Sequence, residues 1–433
     1  MKKKIVDFIQ RHGMGLCDAG PAIGQFAQEG ASALAGKPSS LLMLPSYLKA
    51  EGPLLQNKPV IVIDAGGTNL RIALACFNDE NECILTDERL YPMPGTQGPL
   101  SAKAFFDQMA DIVAPYAAQS SLIGFCFSFP CEITPDLDGR LLTFNKEIQV
   151  DDAAGRLVGK SLHEALRAKG FDNPWKTIIL NDTVATMMGG LAEGRRHHCS
   201  SYIGLILGTG TNMCYMEQCC NIRKDRLLAS QSGQICVNIE SGGYDGFPQS
   251  DFDRIVDRES GMQNYHLFEK MVSGAYQGSF VLHMLKAAAA DGIFSEETAA
   301  GIASLAALSA AETDAFCREP GGNGALSSIC APVDRDTLYA LLDAFYDRSA
   351  FLTALSITGV LVLADLGRSP DAPVCIVADG SAFYKPLLFR PKLNAHIKHI
   401  TEETYGRHVF FVKTKYGNFE GVAAAALLNR QLP

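Results

Sequence analysis

An internally duplicated α/β protein is the fold class this sequence predicts, and three stretches predict it. Val60–Leu74 (VIVIDAGGTNLRIAL) reads strand, Gly-rich turn, strand, and Tyr202–Met216 (YIGLILGTGTNMCYM) repeats that order in the other half of the chain. Later, Val374–Ala378 runs into Asp379-Gly380-Ser381. Continuous β-branched and aliphatic runs of this kind belong to strands covered on both faces. Similar units in separate halves point to a duplicated architecture with ligands bound at the carboxyl ends of strands between the halves.

Size and composition agree. At 433 residues the chain exceeds the ~250 to 300 at which single cores stop growing, so two domains are expected. An apolar fraction of 47% with 20% charged residues is that of a soluble globular protein. The net charge of −9 and the lack of any long Lys/Arg run argue against nucleic acid as a partner. Thirteen dispersed cysteines without a Cys-x-x-Cys pair argue against zinc and fit reduced thiols, so the expected location is cytoplasmic. Asp7, Gln10, Arg11 and His12 interrupt any apolar signal region after the basic start. No apolar run approaches the ~20 residues that span a bilayer, so no membrane partner is expected.

In chain order, residues 1–57 alternate helical pattern with Gly and Pro breaks and read as a helical lead-in. Cys83–Tyr91 reads as a strand, Pro92–Pro99 as a loop, and Ala102–Ala118 as a helix, with Phe105, Met109, Ile112 and Val113 on one face. Ser121–Pro130 is strand-like, and Pro130 keeps Phe129 out of helical geometry, leaving Ser128 at the strand tip. Ser161–Lys169 reads as a short helix, and Thr177–Leu180 as a strand running into Asn181-Asp182-Thr183 and a helix from Val184 to Leu191. Helices are expected over Tyr265–Tyr276, Phe280–Ala290, the Ala-rich Ser295–Phe316, Asp334–Leu366 and Gly417–Leu432.

The glycine-rich turns carry the chemistry. In Asp64-Ala65-Gly66-Gly67-Thr68-Asn69, paired glycines permit positive φ and let backbone N–H groups approach an anion, and Arg71 adds a fixed charge for a phosphate oxygen. An ordinary hairpin would use the same residues, so the turn gains meaning from its companions. Taken together, the segments resemble the hexokinase family of sugar kinases in order from Val60 through Gly421. The first turn resembles that family's first phosphate motif, Gly208-Thr209-Gly210 its second, and Asp379-Gly380-Ser381 its adenosine segment. Ser128-Phe129-Pro130, Asn181-Asp182-Thr183, Asn238-Ile239-Glu240 and Phe268-Glu269-Lys270 resemble the segments that line its sugar pocket.

The resemblance implies a duplicated actin-like (ribonuclease H-like) ATPase fold, with two lobes about a central cleft. The expected small lobe is 58–182 with 416–433 returning to it, and the expected large lobe is 183–415 with 1–57 packed on it. It further implies ATP and Mg2+ as cofactors, a hexose as substrate with glucose foremost, phosphorylation at the 6-hydroxyl, and a monomer or homodimer. Asp182 is the implied proton acceptor and Lys146 the catalytic cation. Ser128, Phe129, Asn145, Lys146, Asn181, Asp182, Asn212, Glu240 and Glu269 are the implied sugar ligands. Asp64, Gly66, Gly67, Thr68, Asn69, Arg71, Gly208, Thr209, Gly210, Gly380 and Ser381 are assigned to ATP. No residue ligates the metal directly; Mg2+ rides on ATP and meets Asp64 and Asp182 through water.

Elementary chemistry supports these types. A hydroxyl-rich neutral substrate needs donors and acceptors rather than one strong charge, and carboxylates accept from vicinal hydroxyls. An Asp182 with an ordinary pKa of about 3.9 would be ionised at pH 7 and weakly basic toward an alcohol, which makes its role orientation and late proton acceptance. Alone, it would read as the N-cap of the following helix. The chain departs from the family at Phe144-Asn145-Lys146-Glu147, at Ser241 after Glu240, and in the loop Ser260–His266, all on the sugar side. A sugar sensor without turnover and an actin-like ATPase without a sugar are the alternatives. The absence of Gly-x-x-x-x-Gly-Lys-[Ser/Thr] and of Gly-x-Gly-x-x-Gly argues against a Walker NTPase and a dinucleotide dehydrogenase.

Overall fold

The computed structural model describes residues 2–144 and 148–430. Asn145, Lys146 and Glu147 therefore lie outside the described residues. Two sheets form the framework. The first contains β1 (Val60–Ala65), β2 (Asn69–Phe77), β3 (Cys83–Pro92), β4 (Leu122–Phe127) and β5 (Lys176–Leu180) in the spatial order β5-β4-β1-β2-β3. The second contains β6 (Ser201–Leu207), β7 (Thr211–Gln218), β8 (Gln234–Asn238), β9 (Val374–Asp379) and β10 (Val409–Val412), ordered β8-β7-β6-β9-β10, with the two-residue strand Leu44–Pro45 beyond β8. In each sheet the first three strands form an antiparallel meander and the last two run parallel to the first. The predicted duplication is thus one of order and direction, strand for strand.

The strands that carry the turns are buried on both faces, as their unbroken apolar runs dictate: Val60, Ile61, Val62 and Ile63 have no exposed surface. Two helices fill the space between the sheets. The helix Asp182–Gly189 lies on the second sheet, so closely that a Cβ at Gly204 would stand 2.6 Å from the Thr183 carbonyl oxygen. The helix Asn418–Leu428 lies on the first sheet, where a Cβ at Gly124 would meet Val422 at 2.6 Å. The two helices cross where Gly421 faces Gly189, a Cβ on Gly421 falling 2.7 Å from the Gly189 nitrogen. Small residues at this crossing let two backbones touch.

The second sheet is backed by the largest core. Its central rod, the helix Arg335–Leu363, is the one described helix long and apolar enough to cross a membrane, but it is mostly buried in protein and carries Arg348 in a buried ion pair with Asp253 at 2.7 Å. The second helix of the chain, Ala19–Leu34, packs along it, Phe26 against Gly359 and Leu363 against Gly30.

Several predicted helices are shorter or divided. The helix expected over Tyr265–Tyr276 is instead Leu267–Val272, and Gly274–Ala290 begins after Ser273 turns extended (φ −83°, ψ 155°). The Ala-rich tract splits into Glu296–Ser304 and Ala310–Arg318, because Ser309 forms a reciprocal cap with Glu312. Pro115 tightens the end of the helix Ala102–Val113 into a 3-10 turn. The helix expected from Val184 starts at Asp182, with Asn181 rather than Asp182 as its cap. Its Oδ1 accepts from Thr183 N at 2.9 Å.

Candidate active site

A cavity of about 210 Å³ opens at the carboxyl ends of the second sheet, lined by Asn181, Asp182, Asn212, Glu240, His266 and Glu269, among others. Register explains the gathering. Ile206, near the end of β6, pairs with Asn212 on one side and Asp379 on the other, so polar groups flank the strand end on its two neighbouring strands. Asp182 reaches the same cavity from the start of its helix.

The wall of the cavity is preassembled. Asn212 Nδ2 donates to Asn238 Oδ1 at 2.9 Å and to Glu240 Oε1 at 3.2 Å, while its Oδ1 accepts from Met213 N at 2.7 Å and Ser241 N at 3.1 Å. Asn238 Nδ2 donates to the same Glu240 oxygen at 2.7 Å. Glu240 itself holds a left-handed backbone (φ 56°, ψ 48°), uncommon for a non-glycine residue and a frequent mark of functional turns. Glu269 Oε2 accepts from Thr211 N at 2.9 Å. It reaches this position across Gly210, where any Cβ would collide with the same carboxylate oxygen, and across Gly242, where a Cβ would be 3.2 Å from its side chain. Behind Glu269, a buried Lys270–Asp257 pair at 2.7 Å pins the loop: Asp257 accepts from Asn264 N, and Lys270 Nζ donates to Met262 O.

Asp182 is held in the same one-sided way as its acidic neighbours. Its Oδ1 accepts from Thr183 N at 2.7 Å and from Thr183 Oγ1 at 3.3 Å, and Oδ2, like Glu240 Oε2 and Glu269 Oε1, has no hydrogen-bond partner among the described residues. Burial pushes its pKa up to about 6 against the pull of the Thr183 donor, with the charges of Glu240 and Asp64 adding to the rise. The ordinary value expected from sequence is therefore corrected, because the helix start is withdrawn from water. Burial likewise raises the Glu269 pKa, opposed by the Thr211 donor. It also raises that of Asp64, where Cys126, Asn418 and Arg71 pull the other way and Asp379 adds to the rise.

The two glycine turns of the second sheet pack against each other. Gly380 adopts φ +114° and packs on the Leu207–Gly208 peptide so tightly that any Cβ would overlap it. Asp379 Oδ1 accepts from Gly380 N at 2.7 Å. Ser381 is exposed as the first residue of the short helix Ser381–Tyr384. Gly208 N bonds Gly210 O at 2.9 Å, and Gly274 N and Ala275 N bond Gly208 O and Thr209 O. In the first sheet, Gly66 N bonds Asn69 O at 3.0 Å, and Thr68 and Asn69 are exposed. Asn418 Nδ2 lies 3.4 and 3.5 Å from the two Asp64 carboxylate oxygens, tying the C-terminal helix to this turn.

Four sequence assignments change in detail. Gly66 and Gly67 do not use positive φ; Gly380 does, because it alone must pass over another backbone. Arg71 pairs with Asp64 in register, yet its guanidinium donates to Glu88 at 2.6 Å and stacks 4.6 Å from the Phe419 ring. Phe129 is 5% exposed and packs against Phe127 and Phe144, so its side chain belongs to the core. Asn212 lines the cavity, but its amide is fully engaged in holding Glu240. Ser128 stands at the end of β4, its N bonded to Ala65 O at 3.2 Å. Reading the sequence missed His266, Asn418 and the bridging role of Asn238. The Asn238-Ile239-Glu240 segment carried a signal for the last; no local pattern marks the other two. Among the described residues, no group of three or more His, Cys, Asp or Glu side chains is arranged to hold a metal ion.

Two sheets of matching order, joined by crossing helices, define the two-lobed actin-like ATPase fold. A hexokinase crystal structure superposes with a TM-score of 0.78 at 21% identity, covering 98% of this chain and 99% of the other. One from Schistosoma mansoni, complexed with glucose, gives 0.74 at 21% identity with the same coverage. Residues 22–191 match one family model described as hexokinase, and residues 202–428, more than half the chain, match a second. The chain belongs to the hexokinase family. Human Hexokinase-3 is 35% identical over 266 residues, which is 59% of this chain and 28% of that relative, so the chain matches less than a third of its length.

Proposed function

We propose that this chain transfers the γ-phosphoryl group of ATP to the 6-hydroxyl of a hexose, glucose foremost, with Asp182 receiving the hydroxyl proton and the lobes closing on the sugar. The observation that carries this reading is the cavity that gathers Asp182, Glu240 and Glu269, each with one carboxylate oxygen held by a donor and the other without a hydrogen-bond partner among the described residues. Carboxylate oxygens without a protein donor suit acceptance from sugar hydroxyls, and Asp182, buried at the helix start with its pKa raised, suits the reacting one. A pKa near 6 makes Asp182 a better base than an ordinary aspartate while leaving it mostly ionised at pH 7.

The open turn fits a nucleotide: a Cβ at Gly66 would meet only Asn69 O at 3.7 Å, and Thr68 and Asn69 face solvent. ATP bound there, contacted by Gly66 to Asn69, Gly208 to Gly210, Gly380 and Ser381, would supply the phosphoryl group and carry Mg2+ on its phosphate oxygens. Asp64 and Asp182 would then face that ion through water. Lys146 and Asn145 retain the roles that family resemblance implies. We divide the lobes at 58–182, with 416–433 returning, and 183–415, with 1–57 packed on it; the glycine crossing of the two central helices supports a pivot there. All thirteen cysteines are free, which supports a reducing, cytoplasmic setting.

The test is a coupled assay with MgATP and a panel of hexoses, with products located by NMR, for the wild type and Asp182→Ala. Phosphorylation at the 6-position that is lost in the variant is the expected result. Absence of hexose phosphorylation, or an unchanged rate in the variant, overturns the proposal.

A further inference from the structure

Cys126 on β4 has no exposed surface, yet its sulfur sits among polar groups of the cleft. Alternation along the strand puts Gly124 and Cys126 on one face. Gly124 shows which face it is, because a Cβ there would meet Val422 of the helix Asn418–Leu428 at 2.6 Å. Asp64 is the register partner of Cys126 on the adjacent parallel strand β1, so its side chain leaves the sheet on that face too. Asn418, one turn before Val422, lies over Asp64 accordingly. The thiol and the carboxylate are thus neighbours beneath the start of the C-terminal helix.

The Asp64 carboxylate is short of close donors. Asn418 Nδ2 reaches its two oxygens only at 3.4 and 3.5 Å, the long end of hydrogen-bonding distance, while Asn418 Oδ1 accepts from Thr186 Oγ1 at 3.4 Å. Arg71, the cross-strand partner of Asp64, is committed to Glu88. Beside the carboxylate stands the Cys126 thiol, whose sulfur is 3.9 Å from Ser128 Oγ. Burial pushes the Asp64 pKa up, and the thiol heads the groups that pull it back. The thiol itself keeps its proton: burial, then the charges of Asp64 and Asp182, push its pKa well up, so it offers a donor rather than a nucleophile.

The geometry points to Cys126 as a positioning residue, its S–H donating to Asp64 and its sulfur accepting from the Ser128 hydroxyl. This inference rests on the hexose-kinase reading and adds to it a link between the strand tip on the sugar side and the carboxylate that faces the nucleotide. Fixing the Asp64 rotamer serves nucleotide binding and transfer more than sugar binding. A buried cysteine that only fills space would make no such distinction.

The experiment compares Cys126→Thr, which keeps a donor, with Cys126→Val, which has the same shape without one, in the full chain. Calorimetry gives the Kd of D-glucose and of the ATP analogue AMPPNP with Mg2+, the coupled assay gives kcat, and thermal unfolding gives Tm. For Cys126→Val we expect AMPPNP affinity weakened about 3- to 10-fold and kcat lowered about 10-fold, with the glucose Kd within about 2-fold of wild type. Cys126→Thr should stay within about 3-fold of wild type in all three. A space-filling role reverses the order, since a buried hydroxyl without a partner is penalised and valine is then the better replacement in both Tm and kcat. AMPPNP affinity in Cys126→Val equal to or above that in Cys126→Thr overturns the inference and leaves the kinase reading standing. Should either variant fail to fold, Cys126→Ser and Cys126→Ala repeat the comparison at smaller volume, and the same order is required. Absence of hexose phosphorylation by the wild type overturns the kinase reading and the inference with it.

Discussion

The two strand-turn-strand units are built on one plan but are held differently. The Gly208–Gly210 turn is enclosed: Gly380 packs on one side, the start of the helix Gly274–Ala290 bonds its carbonyls, and the Glu269 carboxylate lies against Gly210. The Gly66–Asn69 turn is open. A Cβ at Gly66 would meet only Asn69 O at 3.7 Å, and the next two polar residues face solvent. Glycine serves close packing in one turn and leaves open space in the other. A duplicated motif can thus be set in two environments, one copy packed into the wall of the cavity and the other presenting polar residues to solvent.

The comparison can be broken at several points. Asp182 stands between the turns, and Asp182→Ala should reduce kcat/KM for a hexose by about 10²- to 10⁴-fold in the coupled assay. In the wild type, the same kcat/KM should fall as pH drops through about 6, where the Asp182 carboxylate takes up its proton. Gly210→Ala drives a methyl group into Glu269 and should cost about 1–3 kcal/mol, read as weaker hexose binding by calorimetry together with a lower Tm.

Asp182→Asn separates stability from activity. The folded carboxyl keeps its proton up to about pH 6, against about 3.9 for an unperturbed aspartate. The folded state therefore binds more protons across that window, stability falls as pH rises through it, and the loss is complete above it. Removing the titrating group should raise stability at pH 7 by about 1–3 kcal/mol in urea unfolding, discounted for the partial exposure of the side chain, with no gain at pH 3. Asn212→Ala removes one of the two donors to Glu240 Oε1, leaving Asn238, and should weaken hexose binding by roughly 10-fold while leaving KM for ATP unchanged. The smallest effect is expected for Gly66→Ala, whose methyl has room. Its Tm shift should correspond to no more than about 0.5 kcal/mol, and hexose affinity should not change. An effect as large as that of Gly210→Ala would show that the open turn is as constrained as the closed one.

The strands, the glycine turns and the carboxylates that follow apolar runs were legible because each is written in a short window: unbroken apolar residues, then Asp or Gly. The same local reading ran Leu267–Val272 into the next helix, since the extended Ser273 between them has no signature in apolar spacing. Taken alone it would have read Asp182 as a cap, a role that Asn181 one residue earlier fills; only the companion segments pointed Asp182 to the cavity it lines.

By itself, then, the sequence determined a doubled α/β framework and the residue types gathered at its strand ends. Tertiary structure decided what each group is able to do there. The Asn212 amide became a holder for Glu240, 28 residues away, and Glu269 gained its donor from Thr211 across 58 residues. Arg71 was drawn to Glu88, Phe129 joined the aromatic core, and burial raised the Asp182 pKa toward neutrality. The physical reason is common to all of these. Periodicity and turn preference are properties of neighbours along the chain, whereas hydrogen-bond commitment and desolvation depend on which distant groups share one small volume.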